Sequence, residues 1–127
     1  MIYCFDIDGT LCTNTWGDYL NAEPFQDVIS QVNRLYSLGH RIILYTARGA
    51  TTGIDWHKDT ALQMADWKVQ YHSLHMGKPG ADIYVDDKAI NISDWRRSNF
   101  HAELPNVTGD GFDGLPCNLD DREGAPQ

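Results

Sequence analysis

Three short stretches of the chain are apolar without interruption: Ile2-Tyr3-Cys4-Phe5, Ile42-Ile43-Leu44-Tyr45 and Ile83-Tyr84-Val85. A strand with one wet face alternates apolar and polar positions. A continuous run instead fits a strand covered on both faces, as in a parallel sheet. Residues 71–74 form a weaker strand candidate. Between the first two runs Phe25, Val28, Ile29, Val32, Leu35 and Tyr36 recur at helical spacing, with Pro24 suited to the first turn and Gly39 to the stop. A second helix is predicted over residues 55–69, on the stripe Ala61, Leu62, Ala65 and Val69, with Trp67 off it. A third, short helix is predicted from Asp94, capped by Ser93. Strands joined by helices make an α/β fold, with a central parallel sheet built through right-handed crossovers.

Composition narrows the picture. A chain of 127 residues is about the size of one domain. From Pro105 onward Gly and Pro punctuate the text and periodicity is lost. The expected division is a folded domain over residues 1–104 and an irregular acidic extension over 105–127. Cys4, Cys12 and Cys117 are an odd count without CxxC spacing, which speaks against a disulfide framework or a zinc site. Cys4, inside an apolar run, reads as a small buried hydrophobe. No apolar run approaches the roughly 20 residues of a membrane span. The N-terminus lacks the basic and long apolar segments of a secretory signal, so a cytoplasmic location is expected. The net charge is −8, with 12 acids against 9 bases up to residue 102 and 6 acids against Arg122 beyond it. An acidic chain without a basic stripe is a poor nucleic-acid binder.

The chemistry-bearing residues follow the strands. Asp6 and Asp8 follow the first, Thr46 the second and Asp86-Asp87 the last, with Lys78 just before it. In an open parallel sheet the ligand crevice lies beyond the carboxyl ends of the strands, where four carboxylates, a hydroxyl and an ammonium would converge. Four carboxylates cannot ionise side by side uncompensated. A hard divalent cation, most naturally Mg²⁺, resolves this through one or two carboxylates, waters and substrate phosphate. With Lys78 the site is built for a phosphoryl group. One carboxylate of the Asp6/Asp8 pair can attack phosphorus, and the other can protonate the leaving oxygen and then activate water. Two residues apart, both would point the same way in a regular strand, and Gly9 lets the chain turn.

These residues carry a resemblance. Asp6-Ile7-Asp8-Gly9-Thr10, Tyr45-Thr46-Ala47-Arg48, Gly77-Lys78-Pro79 and Val85-Asp86-Asp87 occur in that order. They are similar to the four motifs of the haloacid dehalogenase (HAD) superfamily phosphatases, over about residues 1–100. The resemblance implies a Rossmann-like three-layer fold, Asp6 as nucleophile and Asp8 as acid/base. It implies metal ligation by Asp6, the main-chain carbonyl of Asp8 and Asp86, with Asp87 ligating through water or bracing Lys78. Neither gap between motifs holds a cap domain. The stretch from Gly77 to Ala89 also resembles small phosphatases of bacterial capsule or polysaccharide biosynthesis.

An open site takes its leaving-group contacts from loops or from a neighbouring subunit of a homo-oligomer. Trp16 and Tyr19 could form a flap, and Arg48, whose fork matches an anion, is the candidate for a second anionic group. Lys88 reads as an ion-pair partner of the acidic pair. The histidines lack metal-ligand spacing. The expected substrate is a small phosphorylated metabolite such as a sugar or polyol phosphate. Two alternatives remain: a phosphatase of a polymer or nucleotide terminal phosphate, and a non-enzymatic phospho-receiver domain. A receiver also joins acids, Thr and Lys around Mg²⁺, but in a different chain order.

Overall fold

Strand β1 (Ile2–Phe5) opens the chain, and α1 (Gln26–Ser37) carries it to β2 (Arg41–Tyr45). Helix α2 (His57–Asp66) then leads to β3 (Ser73–His75), and α3 (Ile92–His101) follows. A single 3-10 turn, Tyr19–Asn21, lies between β1 and α1. This computed structural model describes residues 1–101. The predicted extension over 105–127, and Cys117 within it, lie outside the described residues. The sheet has the order β1-β2-β3. Strand β3 runs parallel to β2 in the register Ile43↔Ser73, Leu44↔Leu74, Tyr45↔His75. The result is an α/β fold, a three-stranded parallel sheet flanked by helices, with no inserted domain between the strands. No described helix is long and apolar enough to cross a membrane.

Helix α1 forms where the pattern places it. Val28, Ile29, Val32 and Leu35 are buried, and the helix packs on β2, whose Ile42 and Leu44 are fully buried. Each such side chain contributes roughly 1.5–3 kcal/mol on leaving water. Its end follows from Gly39, at φ +95°. There the Gly39 N–H donates to the Tyr36 carbonyl (3.0 Å) and the His40 N–H to the Leu35 carbonyl (3.1 Å), the paired closure that a left-handed glycine permits.

Several expectations are corrected. In β1 only Tyr3 and Phe5 are buried, while Ile2 and Cys4 are exposed. This strand alternates, with one face covered, and Cys4 is not a core residue. The run Ile83–Val85 forms no strand. Ile83 is 78% and Val85 94% exposed, and among the described residues no ladder pairs with the run. A strand needs a partner edge, and here the Tyr84 hydroxyl folds the segment back instead. It donates to the Pro79 carbonyl and accepts from the Ala81 N–H. The candidate at 71–74 is realised two residues later. His72 serves as its lead-in, its N–H donating to the Ile42 carbonyl (2.8 Å) while its Nδ1 accepts from the Ile42 N–H (3.0 Å). Helix α2 is shorter than predicted and buries Thr60, Gln63 and Met64. Leu62 of the expected stripe is exposed. An apolar period cannot locate a helix face that is buried through polar contacts. Helix α3 begins earlier than Asp94, and its cap is Asn91, whose Oδ1 accepts from the Ser93 N–H (2.9 Å).

The described residues divide into two units, Tyr3–Tyr84 and a second made of Met1–Ile2 with residues 85–101. The first holds most of the sheet, α1 and α2. The second holds α3, with Trp95 buried.

Candidate active site

In the first unit, β1 runs straight into the acidic pair. Ile7 is fully buried, so its two neighbours in sequence, Asp6 and Asp8, are left half-buried on the other side. Gly9, at φ +84°, then reverses the chain. The turn is closed by Gly9 N–H to the Cys12 carbonyl (2.8 Å) and Thr10 and Leu11 N–H to the Ile7 carbonyl (3.0 and 2.8 Å). The Phe25 N–H donates to the Leu11 carbonyl (2.8 Å), which ties this turn to the start of α1.

The ends of β2 and β3 are sewn together beside it. The Thr46 N–H donates to the His75 carbonyl and the Lys78 N–H to the Thr46 carbonyl, both at 3.0 Å. Lys78 Nζ thereby comes to 3.5 Å from Asp6 Oδ1 and lies 4.4 Å from the centre of the Tyr84 ring, an arrangement that attracts a cation. Burial raises the Asp6 carboxyl above its ordinary value, the Lys78 ammonium opposes this, and the nearby Asp8 adds to the rise. Asp6 is thus a carboxylate whose charge is only partly compensated.

Asp8 is held differently. Arg48 Nε donates to Asp8 Oδ2 and Nη2 to Asp8 Oδ1, each at 2.9 Å. Nη1 of the same arginine donates to Gln63 Oε1 (2.7 Å) and Thr60 Oγ1 (3.2 Å). Nη2 also approaches Cys12 Sγ at 4.0 Å, and the Tyr19 ring lies 4.7 Å from the guanidinium carbon. All five N–H donors of a guanidinium face acceptors of the protein, and the side chain is 0% exposed. In this structure Arg48 therefore holds Asp8 and does not present a fork to a second anion. Its own N–H donates to Thr46 Oγ1 (3.2 Å), so the chain of contacts Asp6, Lys78, Thr46, Arg48, Asp8 is continuous.

The flap residues separate. Trp16 sits at φ +54° and is 88% exposed. Tyr19 packs edge-on against Trp56, with centroids 4.9 Å apart, and its carbonyl accepts from Gln63 Nε2 (2.8 Å). It is a wall of the arginine's chamber. A cleft of about 170 Å³ lies between the loops that follow β2 and β3, lined by Arg48, Gly49, Ile54, Asp55, Trp56 and Met76 among others.

Asp86 and Asp87 belong to the second unit and are exposed. Lys88 Nζ lies 3.2 Å from Asp87 Oδ2, and the Lys88 N–H donates to Asp86 Oδ1 (3.0 Å). The acidic pair thus has the lysine partner expected of it. A hydrogen bond shared with Asp86, then the hydrogen bond and charge of Lys88, hold the Asp87 carboxyl below its ordinary value. Among the described residues no group of three or more His, Cys, Asp or Glu is gathered closely enough to hold a metal ion by itself. Thr60, Gln63, Tyr84 and Cys12 also belong to the site, although the sequence does not single them out for it. The available signal was the polar pair Thr60 and Gln63, one helical turn apart and unexplained by an apolar stripe.

No protein-family model matches the chain. No curated protein matches it. Among solved structures it is similar to a Vibrio cholerae protein, with 30% sequence identity and a TM-score of 0.68 over 79% of this chain and 90% of that one. It is also similar to a chain of the Pnkp1/Rnl/Hen1 complex, with 20% identity and a TM-score of 0.48 over 87% of this chain. It spans 36% of that chain.

Proposed function

For a chain that belongs to the same family as this Vibrio cholerae protein, we propose the activity of a Mg²⁺-dependent phosphomonoester hydrolase of the HAD type. It acts on a small phosphorylated metabolite through an aspartyl-phosphate. The observation that carries the reading is the unequal treatment of two carboxylates beside one ammonium. Asp6 is partly compensated by Lys78 at 3.5 Å, whereas Asp8 is clamped by Arg48.

An Asp6 oxygen attacks phosphorus. The new O–P bond forms as the ester P–O bond breaks, and Asp8 gives its proton to the departing oxygen. Water then attacks the same phosphorus, Asp8 takes its proton, and the Asp6–phosphorus bond breaks to release inorganic phosphate. Lys78 neutralises phosphoryl oxygens, and the Thr46 hydroxyl, which already accepts from the Arg48 N–H, keeps its proton to donate to one of them. The half-buried, partly compensated Asp6 supplies the hard oxygen donor that Mg²⁺ prefers. The Asp6 carboxylate and the Asp8 carbonyl would hold the ion, which supplies charge stabilisation to the phosphoryl group. The cleft beside Gly49 and Trp56 is where the leaving group would lie.

The test is phosphate release from a panel of sugar and polyol phosphates, nucleotides and 3′-phosphorylated oligonucleotides. Release should fall by about 10²-fold or more in excess chelator and return with Mg²⁺. Release that is indifferent to chelation would remove the metal. An acyl-phosphate that accumulates on Asp6 without release would favour the receiver.

A further inference from the structure

The sequence offers Arg48 as a ligand for a second anion, but the structure gives it another task. It is the only described cation on Asp8, and its fork covers both carboxylate oxygens at 2.9 Å. It is itself immobilised. Thr60 and Gln63 of α2 accept from its outer nitrogen. Gln63 is in turn fixed by donating to the Tyr19 carbonyl, and the Tyr19 ring that covers the guanidinium is braced by Trp56. Such investment is unequal between the two acids, since the Asp6 side chain is 33% exposed and met by one lysine, at 3.5 Å, and by the Ile7 main chain. A nucleophile must travel toward phosphorus, so loose pairing suits it. A proton donor must sit at one place relative to the leaving oxygen, because proton transfer depends on orientation.

We propose that Arg48 is a positioning residue that acts through Asp8, fixing the carboxyl that protonates the leaving group, with Thr60, Gln63 and Tyr19 holding the arginine in turn. A bidentate fork occupies two of the roughly four lone-pair sites of a carboxylate, so a proton still has a place on Asp8. The inference rests on the phosphatase reading above. It goes beyond it in making helix α2, through Arg48, part of the acid's support, and in withdrawing the Arg48 guanidinium from any second anionic group of the substrate.

Leaving-group dependence separates this role from a merely structural one. p-Nitrophenolate departs as a stable anion and needs little protonation. An alkoxide must be protonated as it leaves. The quantity to measure is kcat/KM, which ends with phosphoryl transfer to Asp6 and so excludes the later hydrolysis that both esters share. In Arg48→Lys, kcat/KM for glycerol 3-phosphate should fall by about 10²-fold, toward the lower end of what general acid catalysis supplies, while p-nitrophenyl phosphate loses no more than a few-fold. Gln63→Leu leaves the Asp8–Arg48 pair intact and should show the same asymmetry on a smaller scale, which covers the case of an Arg48 variant that does not fold. Asp8→Asn should reproduce the pattern. Adding Arg48→Lys to it should cost little more, because residues acting as one unit are not additive. Equal losses on the two esters, no loss on either, or full additivity with Asp8→Asn would overturn the inference and leave the phosphatase standing. No release of phosphate from either ester by the unaltered protein would remove the phosphatase, and the inference with it.

Discussion

Asp6→Asn is expected to abolish phosphate release, by about 10⁴-fold or more, as loss of a covalent nucleophile does, while leaving the fold no less stable. The second half of that expectation is the more informative. The Asp6 carboxyl is raised above its ordinary value of 3.8, burial outweighing the Lys78 ammonium. The folded state therefore holds the Asp6 proton more tightly than the unfolded chain does. Its contribution to stability is fully present below the unfolded value and is lost as pH rises through the folded value. At neutral pH the ionised group is a net cost of folding, and a neutral asparagine of nearly the same shape relieves it. Without added metal, Asp6→Asn should melt at or above the temperature of the unaltered protein at neutral pH, with the gap closing as the pH drops toward the ordinary carboxylate range. A lower melting temperature at neutral pH would mean that Lys78 compensates Asp6 fully, contrary to the half-buried, partly paired group described above. Retained turnover would exclude Asp6 as the nucleophile.

Gly49→Ala is expected to be the most damaging small substitution in the loop after β2. Gly49 sits at φ +82°, and an added Cβ would stand 2.1 Å from the Ile54 carbonyl oxygen and 3.2 Å from Trp56 Cδ1. The left-handed backbone alone costs an L-residue about 1–3 kcal/mol. The collision is with backbone, so it cannot be relieved by turning a side chain. A loss of about 3 kcal/mol is expected, which lowers the melting temperature by roughly 10–15 °C in a domain of this size. Gly53→Ala is the control: its φ is +75°, but nothing lies within 4 Å of the new Cβ, so about 1 kcal/mol is the expected loss. If the two variants melted alike, the close approach of Ile54 to Gly49 would be wrong. Because Ile54 and Trp56 line the cleft, Gly49→Ala should also change KM for substrates with bulky leaving groups more than for small ones.

What the sequence reveals of this fold depends on whether burial is apolar. Helix α1 is legible because Val28, Ile29, Val32 and Leu35 bury hydrocarbon at the helical period. Helix α2 is misread because two of its three buried residues are Thr60 and Gln63, buried through hydrogen bonds to an arginine 12 and 15 residues earlier. The Ile83–Val85 run is misread because apolar side chains announce a need for cover without naming a partner edge. At the site, the approach of Lys78 to Asp6 follows from strand ends, which a parallel topology places side by side. The Arg48–Asp8 pair spans 40 residues, and nothing local distinguishes a buried fork from one offered to a ligand. That choice is made by what surrounds the side chain.

Cys12 has a consequence for how this protein could be watched at work. Its side chain is fully buried, with Sγ 3.6 Å from both the Ile7 carbonyl and Asp8 Oδ1, and burial pushes its thiol up to about 12. Alkylating reagents consume the thiolate, so under native conditions Cys12 should react only in the moments when the turn beneath the acidic pair lifts away. Its modification, followed by mass spectrometry of the peptide that carries it, becomes a clock for local opening. A phosphate mimic that settles over Asp6 and Asp8 should slow that clock.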